Sequence, residues 1–161
     1  MTSASTNTSI SLNISATFTA EPLEPALKYW FERLNLEVTT HFSPYNQVFQ
    51  SLLDPGSPFL RDNAGLNVLL IRPEDWQRFG ATETAEWKKE LTKNTNEFIE
   101  ALQAQATASP SRYLVIVTDP SSAIANNPEP AEHIAELSNQ IVTRCQAVSY
   151  THLTLPTIYS V

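Results

Sequence analysis

The chain has little glycine, a single cysteine, no clustered positive charge and no long apolar run. Three glycines occur in 161 residues, Gly56, Gly65 and Gly80, where an average composition of about 7% would supply about 11. They are too far apart for a GxGxxG turn or a GxxxxGK[ST] loop, so those two phosphate-cradling devices are excluded. Cys145 has no second thiol to pair with inside the chain, which agrees with a reducing compartment. The sequons Asn7-Thr8-Ser9 and Asn13-Ile14-Ser15 then carry little meaning. No apolar run approaches the ~18 residues of a membrane span. The 10 Lys and Arg stand against 17 Asp and Glu, for a net charge of −7. These cations occur singly or in pairs such as Lys88-Lys89, not as the basic patch that nucleic acid requires. Met1-Thr2-Ser3-Ala4-Ser5 begins with neither a basic nor an apolar secretion segment. The expectation is a cytoplasmic globular domain with no nucleic-acid partner and no membrane association.

What is present is an apolar fraction of 42%, enough in one chain of this length to build a single core. Residues 1–9 read as a flexible Ser/Thr/Asn-rich leader. Ile10, Leu12, Ile14, Ala16 and Phe18 alternate with polar residues, the period-two signature of a strand. Glu24-Pro25 opens a helix whose stripe is Leu23, Leu27, Trp30, Phe31 and Leu34. Leu36, Val38, Thr40 and Phe42 alternate as a second strand. Tyr45, Val48, Phe49, Leu52 and Leu53 share one face of a short helix that Asp54-Pro55-Gly56-Ser57-Pro58 ends.

Leu66 to Ile71 is a near-continuous apolar run, as expected of a strand buried on both faces. A long helix between Thr82 and Ala106 carries the stripe Trp87, Leu91, Phe98 and Leu102. Tyr113 to Val117 reads as another fully buried strand. Ile134, Leu137, Ile141 and Cys145 mark a last helix that starts near Pro130. Alternation of strand and helix predicts a three-layer α/β fold with a mainly parallel sheet, lacking a fifth strand after the last helix.

Val148 to Val161 carries no Asp, Glu, Lys or Arg. In a natural segment Ser149 to Leu155 would supply that strand, being rich in Thr, Tyr and Leu. However, Val148-Ser149-Tyr150-Thr151-His152-Leu153-Thr154-Leu155-Pro156-Thr157 resembles the in-frame translation of a sequencing adaptor. The resemblance implies an artefactual tail over 148–161, with a natural domain over 10–147 truncated before its last strand.

Three blocks carry a second resemblance. They are Ala16-Thr17-Phe18-Thr19-Ala20-Glu21-Pro22-Leu23, the stretch from Phe42-Ser43-Pro44-Tyr45-Asn46-Gln47 to Asp54-Pro55-Gly56-Ser57, and Leu66 to Trp76 with its Arg72-Pro73-Glu74-Asp75. Together they resemble the N-terminal region of FkbH-like proteins, the HAD-superfamily subfamily IIIC enzymes of polyketide and nonribosomal peptide assembly lines. The resemblance spans roughly Ile10 to Ala147 and is one of pattern alone after Phe79.

It implies an accessory domain of flavodoxin-like or SGNH-like architecture, preceding a HAD module that makes glyceryl-acyl carrier protein. It also implies a carrier protein, or a neighbouring synthetase module, as partner. Magnesium would serve an Asp nucleophile in the DxDxT motif of that module. This chain contains no DxD, so the expectation is no catalytic residue, no metal and no cofactor within it, and a supporting role in docking. The alternatives are a reduced SGNH-like pocket that handles an acyl or phosphoryl group, and a structural spacer.

An SGNH esterase carries a Gly-Asp-Ser turn after its first strand, where this chain reads Thr17-Phe18-Thr19. Thr19 as nucleophile has no visible base, and His41 and His133 both read as surface residues. Two separated histidines and one cysteine offer no zinc spacing, and Cys145 reads as a buried inert thiol. In open α/β sheets ligands bind outside the carboxyl ends of strands, which makes Thr17, Thr19 and Asp119 candidate binding residues that could converge with Arg72-Pro73-Glu74-Asp75. Turn chemistry is the competing account of Asp119, and helix capping that of Glu74 and Asp75. Asn46 and Gln47 complete the candidate set, their amides suited either to bracing a loop or to contacting a polar ligand. Tyr45, Trp30, Trp76 and Trp87 read as packing residues.

Overall fold

The period-two segment at the start folds as strand β1 (Ile10–Ala16), with Leu12, Ile14 and Ala16 on one face and Asn13 and Ser15 on the other. The computed structural model describes residues 10–61, 65–77, 85–108 and 111–146. Strands β2 (Val38–Phe42), β3 (Leu66–Ile71) and β4 (Arg112–Val117) join β1 in one sheet of order β2-β1-β3-β4. Every pairing is parallel, with Asn13 opposite His41 and Asn67, and Asn67 opposite Tyr113. Parallel neighbours require crossovers. They are helix α1 (Glu24–Arg33), the short helices α2 (Val48–Leu53) and α3 (Pro58–Arg61), and the long α4 (Ala85–Ala108). Helices α5 (Ser122–Ala125) and α6 (Pro128–Gln146) follow β4.

The result is a three-layer α/β fold. One sheet face buries Leu12, Ile14, Ala16, Val68 and Leu70 beneath α1, which contributes Leu27 and Phe31. The other buries Leu69 and Ile71 against Val48 and Leu52 of α2, Phe98, Ile99 and Leu102 of α4, and Ile141 of α6. Trp87, Leu91, Ile124, Ile134 and Leu137 form a satellite cluster where α4, α5 and α6 meet. The strand order matches the first four positions of the doubly wound order 2-1-3-4-5. Whether Ser149 to Leu155 forms a fifth strand falls outside the described residues.

Gly65 is required by close approach: a Cβ there would lie 2.5 Å from the Ser11 carbonyl oxygen and 2.9 Å from Ser11 Cβ. No flexible group could yield to it. Asn35 and Asn46 take left-handed backbone, with φ of 52° and 55°, a conformation asparagine tolerates better than most residues.

Several expectations are corrected. Strand β4 is half-buried from Tyr113 to Val117 instead of fully buried, because it lies at the edge of the described sheet. In the α1 stripe only Leu27 and Phe31, one turn apart, reach the sheet; Leu23, Trp30 and Leu34 point to solvent. A helix lying on one face of a sheet, with solvent on its other side, buries a narrower stripe than one nested among helices. Tyr45 and Leu53 are likewise exposed. His133 is half-buried, with its ring 6.0 Å from that of Trp87 and Nε2 at 3.3 Å from Thr92 Oγ1. The α6 turn that buries Ile134 and Leu137 carries it against α4. Helices α3 and α5 were not foreseen, being too short to show periodicity.

Candidate functional site

The carboxyl ends of β1, β3 and β4 converge, as ligand-binding crevices of open α/β sheets do. Thr17, the residue after β1, is fully buried there. Its backbone N–H donates to the Leu70 carbonyl at 3.1 Å. Its Oγ1 accepts the Arg72 N–H at 2.9 Å and sits 3.3 Å from both the Arg72 carbonyl and Asp75 Oδ2, the two acceptors open to its single proton.

The turn after β3 explains this placement. Pro73 opens a 3-10 turn over Pro73–Gln77, and the Asp75 N–H closes back on the Arg72 carbonyl at 3.1 Å. Arg72 and Asp75 are thereby stacked at i and i+3. The guanidinium forks onto the carboxylate, Nε to Oδ2 at 2.9 Å and Nη2 to Oδ1 at 2.8 Å. Two parallel charge-assisted bonds of this kind are among the strongest that side chains make. The hydrogen bonds that Arg72 donates to Asp75 raise its pKa above the ordinary value, against burial, which lowers it. The Phe18 ring lies under the guanidinium, 5.4 Å from centroid to carbon.

Glu74 reaches sideways to the neighbouring strand end. Its two carboxylate oxygens accept the Ser121 N–H at 3.0 and 3.2 Å, and Ser121 is the N-cap of α5. An anion at that position complements the unpaired amides of a helix start. Glu74 is thus a cap, but of another element and not of its own turn.

The candidate residues divide accordingly. Thr17 joins Arg72 and Asp75 in one network, the convergence expected of that strand end. Thr19 and Asp119 are exposed, and no hydrogen bond among the described residues ties either to it. Asn46 braces the loop: in its left-handed conformation its N–H donates to the Ala16 carbonyl at 3.2 Å. Gln47 lines a groove beside α2. Its carbonyl accepts both the Ser51 N–H and Ser51 Oγ at 2.9 Å.

Chemically the cluster is self-satisfied. A hydroxyl beside a carboxylate resembles a nucleophile and its base, yet both Asp75 oxygens accept from Arg72 and Thr17 has no solvent exposure. The arrangement holds three strand ends together and fills the crevice with protein groups. Among the described residues no three His, Cys, Asp or Glu side chains converge to hold a metal. No described helix is long and apolar enough to cross a membrane.

A second polar assembly, with no motif to announce it in the sequence, lies on the other face of β1. Ser51 Oγ is 3.0 Å from Ser15 Oγ and 2.9 Å from Ser43 Oγ, and Asn13 pairs with Asn67 at 2.9 Å. The available signal was the polar phase of β1 together with Asn67, a single amide inside an apolar strand.

The chain matches no family model and no curated protein.

Proposed function

We propose that this chain is an accessory α/β domain of an FkbH-like enzyme that makes glyceryl-acyl carrier protein, and that it works by docking. The observation that carries the docking reading is the outer surface of α1. Trp30 is 59% exposed and Leu34 62% exposed, with Tyr29, Leu23 and Leu36 also open to solvent. Trp30 and Tyr29 meet edge to face at 5.5 Å, a rigid aromatic pair of the kind that anchors protein interfaces. Adjacent exposed apolar side chains of this size mark interaction surfaces on soluble domains.

The partner implied is a carrier protein or a neighbouring synthetase module. A net charge of −7 opposes an acidic carrier protein at long range. On α1 itself exposed Lys28 and Arg33 are balanced by exposed Glu24 and Glu32, so the helix does not add to that opposition. The rival reading, a small acyl- or phosphoryl-handling pocket, is disfavoured by the commitment of the Thr17 hydroxyl to Arg72 and Asp75.

Titration of the chain with the assembly line's carrier protein, followed by calorimetry, tests the proposal. Saturable binding that Trp30→Ala weakens about tenfold supports docking through α1. Binding unchanged in both Trp30→Ala and Leu34→Ser moves the interface elsewhere. If neither the carrier protein nor the adjoining module binds, docking is wrong and a spacer role remains.

A further inference from the structure

Strand β2 has an outer edge left open among the described residues. It stands at one end of the sheet and pairs with β1 alone, in unbroken register. The Ile10 N–H donates to the Glu37 carbonyl at 2.9 Å, and the Ser43 N–H to the Ile14 carbonyl at 2.8 Å. Backbone groups alternate sides along a strand, so Thr39 and His41 also turn theirs to β1. The N–H and C=O groups of Val38, Thr40 and Phe42 face outward, without partners among the described residues. Proteins guard such edges with lysine, proline or a bulge. Val38–Phe42 carries none of these.

A groove of about 400 Å³ lies between β2 and α1, with no β1 residue in its lining, so it opens at this edge. Phe31, Leu36 and Val38 supply its apolar surface. Glu24, Glu32 and Glu37 also line it, against Lys28 as the one cation of the lining. All four charged side chains are exposed, and none is in an ion pair among the described residues. Val38 packs on the α1 side of the sheet. A strand added to β2 would therefore set every second side chain on that same side, over the groove. Long aliphatic stems ending in a cation suit both the apolar surface and the carboxylates. Three carboxylates to one ammonium oppose an acidic strand. They equally oppose a second copy, whose own acidic groove would be brought alongside.

We propose that the β2 edge takes up an extended basic segment of a partner protein as an added strand, with lysine or arginine at alternate positions over the groove. The site shares only Leu36 with the exposed apolar surface around Trp30, and it stands whether or not a carrier protein docks there.

Nuclear magnetic resonance titration of the whole ¹⁵N-labelled chain tests it, with a blocked heptapeptide alternating lysine and threonine as the probe. A counterpart with glutamate in place of lysine is the control. The lysine peptide is expected to bind saturably and to slow hydrogen exchange at the Val38, Thr40 and Phe42 amides, and the glutamate peptide to do neither. Glu32→Gln combined with Glu37→Gln should weaken binding about fivefold. Thr40→Pro removes an outward N–H at an edge position, where proline is tolerated, and should weaken binding about tenfold. The two glutamate changes lie on the surface and report even if Thr40→Pro fails to fold. The proposal is overturned if the lysine peptide does not bind, if the glutamate peptide binds as well, or if the glutamate changes leave affinity unaltered. Binding that leaves the three amides unprotected overturns it too. So does protection of those amides in the free chain: a second copy holds the edge if that protection grows with concentration, and a segment of the chain itself if it does not.

Discussion

The side-chain amides of Asn13 and Asn67, 54 residues apart in sequence, face each other at 2.9 Å across β1 and β3 beneath the α3 backbone. They belong to a row that crosses the whole sheet in register, His41, Asn13, Asn67 and Tyr113. Asn67→Ala withdraws the acceptor of Asn13 and the donor to the Phe59 carbonyl together. The expected loss is about 3 kcal/mol, measured as a lowered urea midpoint with unchanged slope. Replacing both asparagines with leucine costs less than the two single changes summed, because no polar group is then stranded.

Asp75→Asn keeps the size of the side chain and discards its charge. The Arg72 fork then loses one of its two acceptors, and Thr17 loses the carboxylate oxygen at 3.3 Å. Destabilisation of about 2 kcal/mol is expected, below the cost for a fully buried pair because the Arg72 side chain is 26% exposed. Chemical denaturation of the variant against the parent measures it.

Gly65→Ala tests backbone approach alone. Its Cβ would meet the Ser11 carbonyl at 2.5 Å, so β1 and β3 must part or tilt. About 2 kcal/mol of stability should be lost, with amide shifts centred on Ser11 and Leu66. A neutral outcome would show that the strand ends slide freely.

Alkaline pH should weaken the fold. Burial pushes the Cys145 thiol from 9.0 up to about 11 and raises Tyr113 as well. A raised native value means that the unfolded chain ionises first. The thiol's contribution is therefore intact below about pH 9 and is lost as pH climbs toward 11. At pH 8 the native thiolate population is about 100-fold smaller than in the unfolded chain, so iodoacetamide should label the native protein slowly and the urea-unfolded protein fast. Equal labelling rates would contradict the burial of the thiol.

The layered architecture was legible wherever periodicity was long or strong. Leu66 to Ile71 is the strand expected, and Trp87, Leu91, Phe98 and Leu102 are the buried stripe of α4. Position within the sheet was less legible. Val115 and Ile116 have the composition of a central strand, yet they stand at an edge of the described sheet, and composition does not encode which neighbours a strand receives. Trp30 and Leu34 match a core stripe by spacing and still face solvent, because spacing does not encode how wide a stripe the layer beneath will cover, and here only Leu27 and Phe31 are covered. At the strand ends Thr17 was a candidate for the right location but not for its role. That Asn13 Oδ1 lacks a partner among the described residues was invisible, since an orphaned oxygen exists only once Pro58, Phe59 and Asn67 have been brought around it.

The placement of β1 has a consequence for biosynthesis. Of the four described strands the first in sequence is an inner one, and β3, which closes its second side, pairs Ile14 with Val68. A nascent chain therefore emerges with Leu12, Ile14 and Ala16 displayed and one edge waiting until residue 71 has left the ribosome. Such long-range parallel pairing forms slowly and leaves apolar strands open to capture in the interval. The order of synthesis thus leaves β1 open to chaperones for that interval, although in the finished sheet its apolar face is buried.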